Sequence, residues 1–183
     1  PTLGSAHAWL EAGGVAKNPD CLVQQCGAGL VPIRRDGTRL AFAAPPLIRG
    51  GDVDDEDLIK SMAFLGIDKS QVVDAQWADN GPGWVALLLT DAETVMALQP
   101  KADKAVRLDA IGVIGPHPPQ SEVDFEVRAF TPLEEGQRED PVTGSLNAAL
   151  GEWLIGTGRA PSSYVAAQGT ALGRRGRVYV TKA

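Results

Sequence analysis

Two cysteines, Cys21 and Cys26, and two histidines, His7 and His117, occur in the 183 residues. That is too few for a disulfide framework, and with no CxxC pair and no HExxH a zinc site is not expected. Aromatic residues make up 5% of the chain, and no Lys/Arg-rich run occurs. The longest apolar run is the six residues Trp84–Leu89, far short of the roughly 20 that span a bilayer. No basic stretch followed by an apolar one opens the chain, so no signal peptide is expected. The balance of 17 basic against 23 acidic residues leaves a net charge of −6, which argues against a nucleic-acid partner or a polybasic membrane contact. What is present, 44% hydrophobic and 22% charged residues, is the composition of an ordinary globular chain able to bury a core. A cytoplasmic location is the corresponding expectation.

Periodicity divides the chain into short elements. Pro1–Gly13 has helical spacing of Leu3, Ala6 and Leu10, with Gly13-Gly14 as a stop. Strands are expected at 21–25, 29–34 and 40–44, the last two joined by an Asp36-Gly37 hairpin turn. Gly50–Asp55 reads as a boundary loop, which gives two domains, 1–49 and 50–183. A helix is expected over Asp54–Leu65, strands over Val72–Ala78 and Trp84–Thr90, a short helix over Ala92–Leu98 and a strand over Ile111–Ile114. Val123–Phe130 alternates as a half-buried strand, with Asp124, Glu126 and Arg128 on its solvent face. A polar loop, Pro132–Asp140, then leads to a helix over Gly144–Ile155 and a closing hairpin, Tyr164–Gln168 with Arg177–Thr181. The class is α+β, without the regular βαβ alternation of a doubly wound sheet.

One pattern stands out from this inventory. Pro1-Thr2-Leu3-Gly4-Ser5-Ala6-His7-Ala8-Trp9-Leu10 and Pro141-Val142-Thr143-Gly144-Ser145-Leu146-Asn147-Ala148-Ala149-Leu150 match at five of ten positions, 140 residues apart. Helix-start preferences alone account for Pro, Ser and Ala; Gly followed by Ser at one offset points to duplication of a strand-and-helix unit. A Gly-Ser helix start leaves backbone N–H groups unpaired at the positive end of the dipole, a ready site for a carboxylate. Glu139-Asp140 directly precedes the second start. Asp140 there either complements the dipole or moves a proton on a bound acid.

The run Arg138-Glu139-Asp140-Pro141-Val142-Thr143-Gly144-Ser145, preceded by Phe130-Thr131-Pro132, resembles the signature of the phenazine-biosynthesis PhzF-like family. Pro1–Ala8 resembles that family's first-helix motif, and Gln168-Gly169 with Gly173-Arg174 its C-terminal hairpin. The resemblance implies the diaminopimelate-epimerase-like fold: two pseudo-symmetric domains, each a curled sheet around a central helix, with the active site between them. It implies an isomerase that moves a proton on a small carboxylic acid without metal or other cofactor, acting as a homodimer. By position, Asp140 is the implied proton-shuttling acid. Thr143, Gly144 and Ser145, with Pro1 and Thr2 at the first helix start, are the implied substrate-binding residues.

The match is incomplete. The family's catalytic Glu and active-site His precede the position of Pro1, so the resemblance implies a longer polypeptide or a second chain that completes the site. His7 is expected to be a packing or surface residue. The fold's two-cysteine racemases are not matched, because Cys21 and Cys26 fall on or beside a strand, where buried inert thiols are the common case. Arg174, Arg175 and Arg177 are expected on the exposed face of the hairpin, and Trp9, Trp77, Trp84 and Trp153 in the core or at an interface. The rival to an isomerase is a module that keeps the fold but only binds a metabolite or a protein, or an inactive fragment.

Overall fold

The computed structural model describes residues 2–27, 29–101, 109–133 and 136–182. The chain forms two compact units, Pro1–Ala44 and Pro45–Lys182. In the first, α1 (Thr2–Glu11) packs on a three-stranded antiparallel sheet of β1 (Cys21–Cys26), β2 (Gly29–Asp36) and β3 (Arg39–Phe42). Ala6, Leu22 and Ile33 form its small core, with Leu3 and Leu10 against them. The Asp36-Gly37 turn closes the β2–β3 hairpin as expected, with Gly37 at positive φ. Cys21 is half-buried and Cys26 exposed at the two ends of β1. The thiols are therefore not both buried; β1 is one-sided, and its terminal residue faces solvent. His7 is exposed, and Trp9 is 46% exposed.

The second unit is built on a seven-stranded mixed sheet. Its strands are β4 (Val72–Trp77), β5 (Trp84–Leu89), β6 (Ala110–Pro116), β7 (Phe125–Leu133), β8 (Gly136–Asp140), β9 (Ser163–Gln168) and β10 (Gly176–Thr181). The path across the sheet is β10-β9-β7-β6-β5-β4, with β8 also paired to β7. The pairs β5–β6 and β7–β9 are parallel and the others antiparallel.

Among the described residues, three α-helices cover this sheet: α2 (Asp55–Leu65), α3 (Ala92–Ala97) and α4 (Gly144–Gly156). Asp54 caps α2 by accepting from the Asp57 N–H at 2.9 Å, and Gly66 ends it at φ 71°. Asp55, Glu56 and Asp57 complement the positive end of the helix dipole. Asp54→Ala should cost about 1 kcal/mol of stability, read as a lowered urea midpoint at unchanged slope. Asp91 caps α3 in the same way, and its bonds from the Thr94 backbone and hydroxyl hold its carboxyl below the usual range.

The run Trp84–Leu89 is buried on both sides because the sheet has a core on each face. Trp84, Ala86 and Leu88 join Val127 and Ala129 against Leu146, Leu150, Trp153 and Leu154 of α4. Val85, Leu87 and Leu89 join Ile111, Val113 and Phe130 against Phe64 and Leu65 of α2 and Val95 of α3. The 13-residue α4 has seven buried residues, the pattern of a helix enclosed by its own domain.

The same two-sidedness corrects the reading of Val123–Phe130. Asp124 is exposed as expected, but Glu126 and Arg128 are 2% and 5% exposed. They lie under the second layer: Glu126 meets His117 (Oε2 to Nε2, 3.1 Å) and Arg128 meets Glu139. Pro132–Asp140 is likewise not all loop. Gly136–Asp140 forms β8, in register with β7 from Leu133↔Gly136 to Ala129↔Asp140. Its charged sequence hides a strand whose partner is the strand just before it. The expected β9–β10 hairpin is present, with Arg174 and Arg175 exposed. No helix among the described residues is long and apolar enough to cross a membrane.

Candidate functional site

Along one edge, β7 changes partners. Residues Phe125–Val127 pair with Ala166–Gln168 of β9, and Ala129–Leu133 pair with Asp140–Gly136 of β8. The ends of β8 and β9 therefore approach each other head-on beside Arg128. Register then separates the two adjacent acids. Asp140 lies opposite Ala129, on the face that packs α4, and Glu139 lies opposite Phe130, on the other face. Glu139 forms a two-point bond with Arg128 (Nε to Oε1 2.9 Å, Nη2 to Oε2 2.8 Å). Arg128 Nη1 also donates to the Val95 and Leu98 carbonyls at the end of α3. Glu139 is thus a brace for β8, and Asp140 is the acid at the helix start.

Only Pro141, Val142 and Thr143 separate β8 from α4. Thr143 is the N-cap residue, yet its side chain caps nothing. Its hydroxyl donates instead to Asp140 Oδ2 at 2.7 Å. Asn147 is the first residue whose N–H finds a carbonyl within the helix, that of Thr143. The N–H groups of Gly144 and Ser145 thus have no acceptor in the helix, and Gly144 is exposed.

Ser145 is held from the β4–β5 connection and the first residue of β5. Trp84 Nε1 donates to its Oγ at 3.1 Å, and Asn80 Nδ2 to its backbone carbonyl at 2.8 Å. Because Ser145 Oγ already accepts one bond, its own proton remains to be donated. Behind Thr143 lies Gln168, fully buried. Its Oε1 accepts from the Thr143 N–H (3.0 Å) and Asn147 Nδ2 (2.8 Å), and its Nε2 donates to Asp140 O (3.0 Å) and Thr143 Oγ1 (2.9 Å). Gly169 follows at φ 86°, where a Cβ would lie 2.7 Å from the Pro141 carbonyl oxygen. A glycine is required there to let the end of β9 lie against the loop before α4.

Asp140, Thr143, Gly144 and Ser145 are therefore brought together within the second unit. Thr2 opens α1 in the first unit, and Pro1 lies outside the described residues. Gln168, Asn147, Asn80 and Trp84 were not singled out as site residues from the sequence. Gln168 carried a signal only as part of the hairpin motif. Asn147 lies one turn along α4 from Thr143, and Asn80 and Trp84 are recruited across the fold, at separations of 65 and 61 residues from Ser145.

The chain is similar to proteins of one family. The phenazine biosynthesis-like protein family, PhzC-PhzF, matches residues 1–183. "Antisense-enhancing sequence 1" of Schizosaccharomyces pombe is 30% identical, over 96% of this chain and 63% of its own length. An "uncharacterized isomerase" of Clostridium acetobutylicum is 27% identical, over 84% of this chain and 57% of its own. Crystal structures of PhzF-family proteins from Enterococcus faecalis (TM-score 0.74, 24% identity) and Bacillus anthracis (0.76, 18%) cover 100% and 97% of this chain, and 64% of each of those chains. These neighbours have the diaminopimelate-epimerase-like fold expected above. The chain spans less than two thirds of the length of the relatives it matches. By its match along the whole chain, and by an EDPVTGS run that ends a strand and opens a central helix, the protein belongs to the phenazine biosynthesis-like PhzC-PhzF family.

Proposed function

We propose that the complete protein is an isomerase that moves a proton on a small carboxylic acid by general acid–base catalysis, without a cofactor. Asp140 accepts and returns the proton. The substrate carboxylate sits at the start of α4 on the N–H groups of Gly144 and Ser145, with the Ser145 hydroxyl as a further donor and Thr143 holding Asp140. The observation that supports this reading most is the use of the N-cap side chain. The Thr143 hydroxyl donates to Asp140, and its oxygen accepts from no N–H of α4, so an uncapped helix start lies beside an oriented carboxylate.

The chemistry follows from that pairing. A proton on the carbon next to a carboxylate is weakly acidic, because its removal puts further negative charge on a group already negative. Backbone donors and the helix dipole stabilise that charge as it develops, without having to reorganise. A carboxylate placed beside them supplies the base, a contribution of about 10²–10⁴ in rate. The test uses the intact polypeptide in D2O with a panel of small cyclic and acyclic carboxylic acids. The reading expects deuterium to enter at the carbon beside the carboxylate, or at the far end of a conjugated system, of at least one of them. Binding without any exchange across the panel favours the module that only binds.

A further inference from the structure

We infer that Gln168 is a positioning residue: it directs the Thr143 hydroxyl proton onto Oδ2 of Asp140 and so leaves Oδ1 as the oxygen that receives the substrate proton. The inference rests on the reading of Asp140 above for its catalytic half. Its structural half stands on hydrogen-bond directions alone.

Backbone groups decide how the Gln168 amide is turned. The Thr143 N–H can only donate, so the oxygen of Gln168 faces it, at 3.0 Å. The Asp140 carbonyl can only accept, so the nitrogen faces that, also at 3.0 Å. The second acceptor position of the oxygen is filled by Asn147 Nδ2, and the second proton of the nitrogen points to Thr143 Oγ1 at 2.9 Å. With all four bonds made and Gln168 at 0% exposure, neither a flip of the amide nor competition from water is open to it. The Thr143 oxygen therefore accepts from Gln168, and its single proton must leave in another direction. Asp140 Oδ2, at 2.7 Å, lies there. A proton on Oδ2 would weaken that oxygen as acceptor for the hydroxyl, whereas a proton on Oδ1 leaves the bond in place, so Oδ1 is the favoured oxygen for the shuttled proton.

The test is spectroscopic and needs no substrate. Replacing a hydroxyl proton by deuterium shifts the carbon resonance of the carboxylate that accepts it. In the intact polypeptide with 13C-labelled Asp and Glu, compared in H2O and D2O, the Asp140 carboxyl carbon should show such a shift, and Thr143→Val should abolish it. In Gln168→Glu the introduced carboxylate cannot donate to Thr143. The hydroxyl then turns toward it, and the isotope shift should move from Asp140 to the carboxyl at position 168. If Gln168→Glu does not fold, Gln168→Met serves: it frees the hydroxyl to rotate, and the shift at Asp140 should fall by half or more. A Gln168 that merely fills space would lower stability but leave the shift on Asp140. An absent shift in the unaltered protein, or one unchanged in the folded Gln168 variant, overturns the inference. If the shift behaves as expected but Asp140→Asn retains deuterium exchange into substrate, the reading of Asp140 falls and the hydroxyl direction stands.

Discussion

Arg128→Leu should destabilise the second unit by about 3–5 kcal/mol, because it leaves a largely buried carboxylate without its cation. The Glu139 side chain is 13% exposed and takes both its bonds from the guanidinium. The Val95 and Leu98 carbonyls lose their donor at the same time. Replacing the whole pair, Arg128→Leu with Glu139→Leu, should recover a substantial part of the loss, since no charge is then stranded. Urea unfolding of Arg128→Leu, Glu139→Leu and the double variant measures this. A double-variant loss equal to the sum of the two single losses would show that the pair is not coupled. The effect also bears on the site. Arg128 lies where β8 and β9 converge, so the single variant should perturb Asp140 even under conditions where it remains folded.

Gly112→Ala should have the next largest effect. A Cβ at that position would lie 2.2 Å from Leu146 Cδ1 and 2.7 Å from Cδ2. Leu146 is fully buried, so it cannot swing clear, and the first turn of α4 must lift from the sheet. Overpacking of this kind costs about 1–3 kcal/mol. Leu146→Ala in the same chain should relieve the clash while opening space of its own. The double variant is therefore expected to be less unstable than the sum of the two single ones. Because Leu146 directly follows Ser145, the amide signals of Gly144 and Ser145 should move in Gly112→Ala and return toward their original positions in the double variant. Additive losses would place the crowding elsewhere.

Much of this architecture could be read from residue order. Asp54, the Asp36-Gly37 turn and the Trp84–Leu89 run each carry their own local physics, and the corresponding elements formed where expected. β8 did not announce itself, because Gln137-Arg138-Glu139-Asp140 has no apolar alternation. It is a strand by virtue of its pairing with β7 and the Arg128–Glu139 brace. Glu126 and Arg128 read as solvent-facing for a related reason: alternation tells which residues share a face but not whether that face is covered. The site was half legible. Its acid and helix start are contiguous in sequence, whereas Gln168 and Trp84 are supplied by strands that sheet topology alone brings to Thr143 and Ser145. Nor does sequence separate Glu139 from Asp140; the pleat of β8 does, giving one to a structural ion pair and the other to the helix start.

The proposed role of Asp140 is to move a proton on a carboxylic acid held at the start of α4. The direct measurement takes an acid that exchanges with the intact protein in D2O. It follows deuterium entry by NMR in the unaltered protein and in Asp140→Asn, with binding of the same acid followed through the Gly144 and Ser145 amides. Asp140→Asn should still shift those amides on binding but lose exchange by at least about 10²-fold. Exchange at an undiminished rate in Asp140→Asn would contradict that role.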